Sequence, residues 1–431
     1  MQFINKRIAI LGLGEEGRDL LSWLKKNSKN CNIKVFDKIK TANLTSFDII
    51  FRSPGFYRLS PMMVKAEKTG AKILSATKLF FDLSPAKIIG VTGTKGKGTT
   101  SALITQILKA GGNKVKLAGN IGESPLKLIK NLKPSDWVVL ELSSFQLQDL
   151  TVGPKIAVVL NVTREHLDVH RSTGEYRRSK QNILRYQASQ DKAVLNADYA
   201  VTKNWSRLTR GKVYWFSRRH PVKGSYVLNG KISLNLTNKS AVVGLTKKLL
   251  LRGEHNWENV TAAITASALA GAKLPDIKKA VFSFKGLEHR LELVKSAKGV
   301  KFYNDSFSTT PETAMAAIKS FAEPMTLILG GSEKGSNYRQ LGKLIVKSPQ
   351  VKTLILVGRT ANQIQKAVNR AGKFKGTMIK GLTSMKAIVA SAFKKSLPGE
   401  VVVLSPACAS FDMFINYQDR GEQFKAAVKK L

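Results

Sequence analysis

The sequence predicts an α/β protein of three domains: a Rossmann-like N-terminal domain, a central P-loop domain on a parallel sheet, and a Rossmann-like C-terminal domain. Three observations predict it. The chain opens with an apolar strand, a glycine turn and an amphipathic helix (RIAILGLGEEGRDLLSWLKK), followed by NIKVFDK and FDIIFRSPGF. The same order returns in AKIIGVTGTKGKGTTSALITQILKAGG. A third series, KFYNDS, MTLILGGS, TLILVGR and EVVVLSP, sets short strands before loops, with helical segments between them. Strand–helix alternation of this kind builds parallel sheets with crossover helices.

Length agrees with this division, because 431 residues exceed one comfortable core. Boundaries are expected at 1–85, closing after Pro85, at 86–286 and at 287–431. Further middle strands are DWVVLELS, KIAVVLNV and KAVLNA, and GEHNWENVTAAITASALAGA closes the segment as a helix. The polar stretch KGSYVLNGKISLNL reads as a hairpin turning at Asn229-Gly230.

Composition narrows the function classes. No apolar run reaches the ~18 residues of a membrane span, and the opening residues lack a signal peptide's polar cleavage region. Two cysteines, Cys31 and Cys408, lie far apart without metal-ligand spacing, which excludes a disulfide framework. A reduced, cytoplasmic setting and a monomer are expected, with no membrane partner. The net charge of +42 is spread over the chain: 15 bases against 7 acids in the first segment, 33 against 12 in the second, 23 against 10 in the third. Dispersed charge can hold nucleic acid non-specifically or steer small anionic substrates inward. The second reading is preferred, with no specific nucleic acid, since no aromatic-rich basic motif accompanies the charge.

Gly12-Leu13-Gly14-Glu15-Glu16-Gly17 matches GxGxxG between a strand and a helix, and Asp37 ends the next strand. That pattern suits a nicotinamide or flavin dinucleotide, another nucleotide diphosphate, or a tight turn of purely structural meaning. The loop Gly93-Thr94-Lys95-Gly96-Lys97-Gly98-Thr99 is more specific. Its backbone N–H groups can face phosphate oxygens while Lys97 neutralises β/γ charge, which predicts ATP binding. A hydroxyl just past the lysine usually completes a Mg²⁺ shell. Glu141 and His166 each follow a strand's C-terminal end, the edge where α/β sheets present ligands, and together they predict a metal site.

With these residues quoted, the chain resembles the Mur ligase superfamily over nearly its whole length. The motifs are TGTKGKGTT, AGNIG (118–122), ELSSFQL (141–147), LNVTREHLD (160–168), GEHNWENVTAA (253–263), GLEHRLE (286–292), NDSFSTTPET (304–313), GGSEKGSNY (330–338) and LSPACASFDMF (404–414). Nine in correct order are specific, and ACAS with the following DRGEQF favours the D-glutamate-adding member. The resemblance implies UDP-N-acetylmuramoyl-L-alanine and D-glutamate as substrates, with ATP and Mg²⁺. It reassigns the first glycine loop to UDP, making Gly14, Glu15, Asp37 and Ser53 of the Ser53-Pro54-Gly55 turn its contacts.

The resemblance also implies an acyl-phosphate mechanism. ATP phosphorylates the substrate's terminal carboxylate, and the amine of D-glutamate displaces phosphate through a tetrahedral intermediate. Lys97, His166 and Lys180 are then the catalytic positions. Thr99, Glu141 and His166 hold Mg²⁺, and Lys180, in EYRRSKQNIL, matches a carbamoylated lysine that helps bind a second ion. Asn120 contacts the muramoyl substrate, Asn256 and Asn259 the adenine, and Arg290 and Asp305 the nucleotide from the third domain. Thr309, Lys334, Ser410 and Tyr417 fall where the D-glutamate carboxylates are held.

Three positions depart from the family's commonest pattern. Gly98 stands where a hydroxyl residue usually follows the loop lysine, so Thr99, or a water, takes the metal role. Phe307 stands where lysine is frequent, and Tyr417 where phenylalanine is. The Lys-Gly step also occurs in folylpolyglutamate synthases, the main enzyme alternative, whose architecture lacks the N-terminal unit. An alternative of another class is a basic nucleic-acid-associated ATP-binding protein.

Overall fold

The computed structural model describes residues 3–37, 43–163, 172–237, 239–333 and 335–431; His166 and Lys334 lie outside the described residues. The chain divides into two compact units, Met1–Leu249 with Trp257–Ser283, and Leu250–Asn256 with Phe284–Leu431. The short segment Leu250–Asn256 therefore packs with the C-terminal residues, although it lies inside the expected middle segment.

The first unit contains two main sheets. The smaller is fully parallel, with strands in the order Asn32–Phe36, Arg7–Leu11, Ile49–Arg52 and Lys72–Leu74. Helices Glu15–Asn27, Pro61–Lys68 and Ala76–Leu83 connect and follow these strands. The inner strands Arg7–Leu11 and Ile49–Arg52 are near-continuously apolar because they are buried, whereas the two flanking strands are partly exposed. Ile10 and Phe51 of this sheet share one apolar cluster with Phe80 and with Leu140 and Leu195 of the second sheet.

The second sheet has nine strands, ordered Ala241–Leu245, Lys231–Asn235, Gly224–Leu228, Lys212–Ser217, Lys192–Asn196, Ile156–Val159, Lys87–Thr92, Trp137–Glu141 and Val115–Gly119. The last seven of these are parallel, and the first two pair antiparallel. Lys87–Thr92 is first in sequence yet sits inside the sheet, so strand order reverses beside it. Such switch points leave a crevice at the carboxyl ends of the strands. The hairpin turns at Asn229-Gly230 as the sequence predicts: Leu228 pairs with Lys231, and φ is 48° and 70° at the two turn residues. Positive φ at both central positions is the type I′ pattern.

In the second unit six strands run Glu292–Ala297, Val300–Asn304, Val401–Leu404, Met325–Gly330, Val351–Val357 and Thr377–Ile379, all parallel except the first pair. Leu327, Leu329 and Leu354 enter one apolar cluster, while Ile328, Ile355 and Val402 enter another. That period of two shows a sheet covered on both faces. No helix among the described residues is long and apolar enough to cross a membrane.

Candidate active site

The phosphate loop leaves Lys87–Thr92 at the switch point and enters the helix Lys97–Ala110. Gly96 caps this helix at φ 86°, and a Cβ there would lie 2.1 Å from Asn259 Oδ1, so only glycine fits. Asn259 Oδ1 also accepts from the Thr100 hydroxyl (3.4 Å), which seats the helix His255–Leu269 against the loop. Lys97 folds back so that Nζ donates to the carbonyls of Gly93 (3.2 Å) and Thr94 (3.1 Å). Lys180, only 2% exposed, donates to the same Gly93 carbonyl (3.0 Å) and to Thr92 Oγ1 (3.3 Å). Two ammonium groups thus meet on one carbonyl inside a loop whose helix N-terminus already favours anions.

Glu141 ends its strand level with Val91 on one neighbour and Gly119 on the other. Asn120 follows directly, its N–H donating to the Glu141 carbonyl (3.2 Å). Thr99, 3% exposed, sits in the first turn of the loop helix, and Lys95 is exposed at the loop's tip. The sheet edge therefore gathers Gly93–Thr99, Asn120, Glu141, Lys180 and Asn259. Asn256 donates to the Arg252 carbonyl (2.6 Å). Tyr176 was not anticipated: its hydroxyl lies 3.1 Å from Thr94 Oγ1, and its ring lies 4.9 Å under the Lys180 ammonium. Its i, i+4 spacing from Lys180 was the available signal.

The first glycine loop is tight, since a Cβ on Gly17 would lie 2.1 Å from the Gly12 carbonyl oxygen. Gly14 caps the helix that begins at Glu15, with Glu15 and Glu16 in its first turn. Asp37 Oδ1 accepts from the Leu13 N–H (3.3 Å), and Ser53 N–H donates to the Leu11 carbonyl (3.0 Å). Gly14, Glu15, Asp37 and Ser53 therefore share one sheet edge. Glu15 and Glu16 thus set two carboxylates at the positive end of the helix dipole.

In the second unit Asp305 follows the strand Val300–Asn304. Its Oδ1 accepts from Leu291 N–H (3.1 Å), and its Oδ2 accepts from the hydroxyls of Ser308 (2.5 Å) and Ser405 (2.8 Å). Burial pushes its carboxyl up to about 6 despite these donors and the nearby Arg290. Arg290 lies between His289 and Leu291, both left-handed (φ 60° and 45°), and stacks 4.4 Å from the Phe307 ring centroid. Tyr417 meets Phe307 edge-on at 5.2 Å and His289 at 6.1 Å. Ser410 is buried, and its neighbour Ala409 accepts from the Ser332 N–H (2.8 Å); Thr309 is half-buried in the loop after Asp305. Arg420, also unanticipated, is buried, with Nη2 donating to the Ser306 carbonyl (2.8 Å) and Nη1 to those of Cys408 and Ala409; burial lowers its guanidinium to about 10.

Asp305 sets a pH expectation. Its folded value of about 6 lies above the ordinary 3.8. A raised acid contributes stability that is full below about 4 and lost as pH rises through about 6. Asp305→Asn should therefore flatten the stability profile between pH 4 and 6 relative to the parent, by on the order of 2–3 kcal/mol. Parallel unfolding curves for parent and variant across that range would contradict it.

A phosphate loop at the switch point of a mostly parallel sheet defines a P-loop protein of the nucleotide-using kind. The Mur ligase middle domain matches residues 91–267, and the Mur ligase glutamate ligase domain matches 289–408. The chain belongs to the Mur ligase family. It is 39% identical over 456 residues to the UDP-N-acetylmuramoylalanine--D-glutamate ligase of Acetivibrio thermocellus, covering 99% of this chain and 97% of that one. The ligase of the same name from Symbiobacterium thermophilum is 41% identical, covering 90% of this chain and 85% of its own. Among solved structures, UDP-N-acetylmuramate-alanine ligase MurC of Thermotoga maritima superposes with a TM-score of 0.62 at 16% identity, covering 99% of both chains. The Thermotoga maritima MurF ligase in complex with ADP gives 0.60 at 17%, covering 98% and 95%. These two likenesses establish the three-domain α/β fold.

Proposed function

We propose that the chain joins D-glutamate to UDP-N-acetylmuramoyl-L-alanine, using ATP, as a step in making peptidoglycan precursors. The carrying observation is the meeting of Lys97 and Lys180 on the Gly93 carbonyl, which brings both side chains to the phosphate loop. The substrate pair follows the names of relatives that match nearly the full chain. Segments 1–85, 86–286 and 287–431 serve the sugar nucleotide, ATP and the amino acid respectively, in a cytoplasmic monomer. No specific nucleic acid is a partner.

Gly93–Thr99 bind the triphosphate, Asn256 and Asn259 address adenine, and Arg290 and Asp305 approach the nucleotide from the third domain. Gly14, Glu15, Asp37 and Ser53 hold the uridine end, and Asn120 holds the muramoyl group. Thr309, Lys334, Ser410 and Tyr417 hold D-glutamate. A carboxylate oxygen of the substrate attacks the γ-phosphorus and ADP leaves; the amine nitrogen then attacks the acyl carbon, and phosphate departs with that oxygen. Lys97 neutralises charge on the transferred group.

The donor set fits Mg²⁺. Glu141 and Thr99 offer hard oxygen ligands at one sheet edge, as this ion prefers, and His166 joins them in the family pattern. Lys180 as an ammonium cannot ligate a cation; carbamoylation turns it into a carboxylate that can. Bound there, the ion would offset charge between the triphosphate and the substrate carboxylate.

The test is product analysis with UDP-N-acetylmuramoyl-L-alanine, ATP and a panel of amino acids. Amide product and ADP with D-glutamate, and at least about tenfold less with L-glutamate or D-aspartate, is the expected result; each tenfold represents about 1.4 kcal/mol of discrimination. Turnover that ignores the sugar nucleotide would sink the reading.

A further inference from the structure

One helix touches both the first glycine-loop domain and the phosphate loop. Thr173–Arg185 carries Tyr176 and Lys180 against the loop, at Thr94 and Gly93. Glu175 of the same helix, 6% exposed, is engaged elsewhere: Oε2 accepts from the Tyr57 hydroxyl (2.9 Å) and Oε1 from Gln148 Nε2 (3.0 Å). Tyr57 lies four residues beyond Ser53. Gln148 is itself fixed from the N-terminal sheet, its Oε1 accepting from Arg52 Nη2 (3.2 Å). At 100° per residue, Glu175 and Lys180 sit roughly 140° apart around the helix. A carboxylate held on one side therefore resists rotation of the lysine on the other. A hydrogen bond to a buried carboxylate is of the stronger, charge-assisted kind.

We infer that Tyr57 is a positioning residue which, through Glu175, sets the rotation of Thr173–Arg185 and so the placement of Lys180 at the phosphate loop. The turn that receives the sugar nucleotide and the loop that receives ATP are thereby set as one piece. This rests on the substrate reading proposed above. Tyr57→Phe removes one hydroxyl and keeps the ring, leaving Glu175 with Gln148. It should lower kcat roughly tenfold while KM for ATP and for the sugar nucleotide stays within about twofold, because a slightly misplaced group costs rate before affinity. Glu175→Gln tests the same link from the other end, and Tyr57→Phe with Glu175→Gln should be no slower than the worse single variant.

Amide exchange of residues 176–184 in the full chain supplies a readout that needs no turnover, and it should accelerate in Tyr57→Phe. Unchanged kcat with unchanged exchange overturns the inference. So does a rise in KM for the sugar nucleotide alone, which makes Tyr57 a substrate contact, or additive losses in the double variant. If the parent fails to turn over this substrate pair yet Tyr57→Phe accelerates exchange, the proposed reaction falls and the coupling stands.

Discussion

Replacing Lys97 with methionine is expected to lower kcat by about a hundredfold to a thousandfold while leaving the fold intact. The magnitude is that of removing one preorganised cation from a site where charge is transferred. Lys97 is the first residue of its helix, and its ammonium donates to the carbonyls of Gly93 and Thr94. Methionine keeps the aliphatic stem, so the unfolding midpoint should move by no more than a degree or two. Arginine should not rescue, because a planar fork cannot replace a point charge curled into so short a loop. Retention of more than a tenth of the parent kcat by Lys97→Met would show that phosphate charge is met elsewhere.

The largest expected effect on stability is at Arg52. Its side chain and that of Asp149 are each 1% exposed and pair at 2.8 Å. The guanidinium also donates to the carbonyls of Phe56 (3.1 Å) and Phe145 (2.7 Å). Burial raises the Asp149 carboxyl even with Arg52 and Arg58 beside it. Removing Arg52 leaves this buried carboxylate with the weaker pairing to Arg58 (3.1 Å), and Arg52→Met should cost about 3 kcal/mol. Arg52→Met with Asp149→Leu should recover part of that, since the loss lies in the under-compensated buried charge. Denaturant unfolding followed by tryptophan emission distinguishes the cases; a single-variant loss under about 1 kcal/mol, or a double variant no better than the single, would contradict the assignment.

These residues mark how far the sequence could be read. Phosphate loop, glycine turn and the Asn229-Gly230 hairpin were legible because their geometry is dictated locally, by glycines and by a turn pair with one favoured conformation. Strand Glu292–Ala297 was not. It is a partly exposed edge of mixed polarity, defined by antiparallel pairing across Lys298-Gly299, where a lysine at φ 46° replaces the usual turn residue. Arg52 was invisible for a different reason: an arginine ending an apolar strand reads as solvated until its partner, 97 residues away, is known. Tyr57, Glu175 and Arg420 share that long-range character. For the candidate site, the loop and strand-end residues were readable as chemistry, whereas substrate identities came from the resemblance and the contacts that hold the site together came only from the fold.

Activation of the sugar nucleotide's carboxylate as an acyl phosphate is testable by oxygen transfer. UDP-N-acetylmuramoyl-L-alanine labelled with ¹⁸O in its terminal carboxylate is turned over with ATP and D-glutamate, and the inorganic phosphate is analysed by mass spectrometry. One labelled oxygen is expected in each phosphate released. Unlabelled phosphate, formed at the same rate as the amide product, would contradict it.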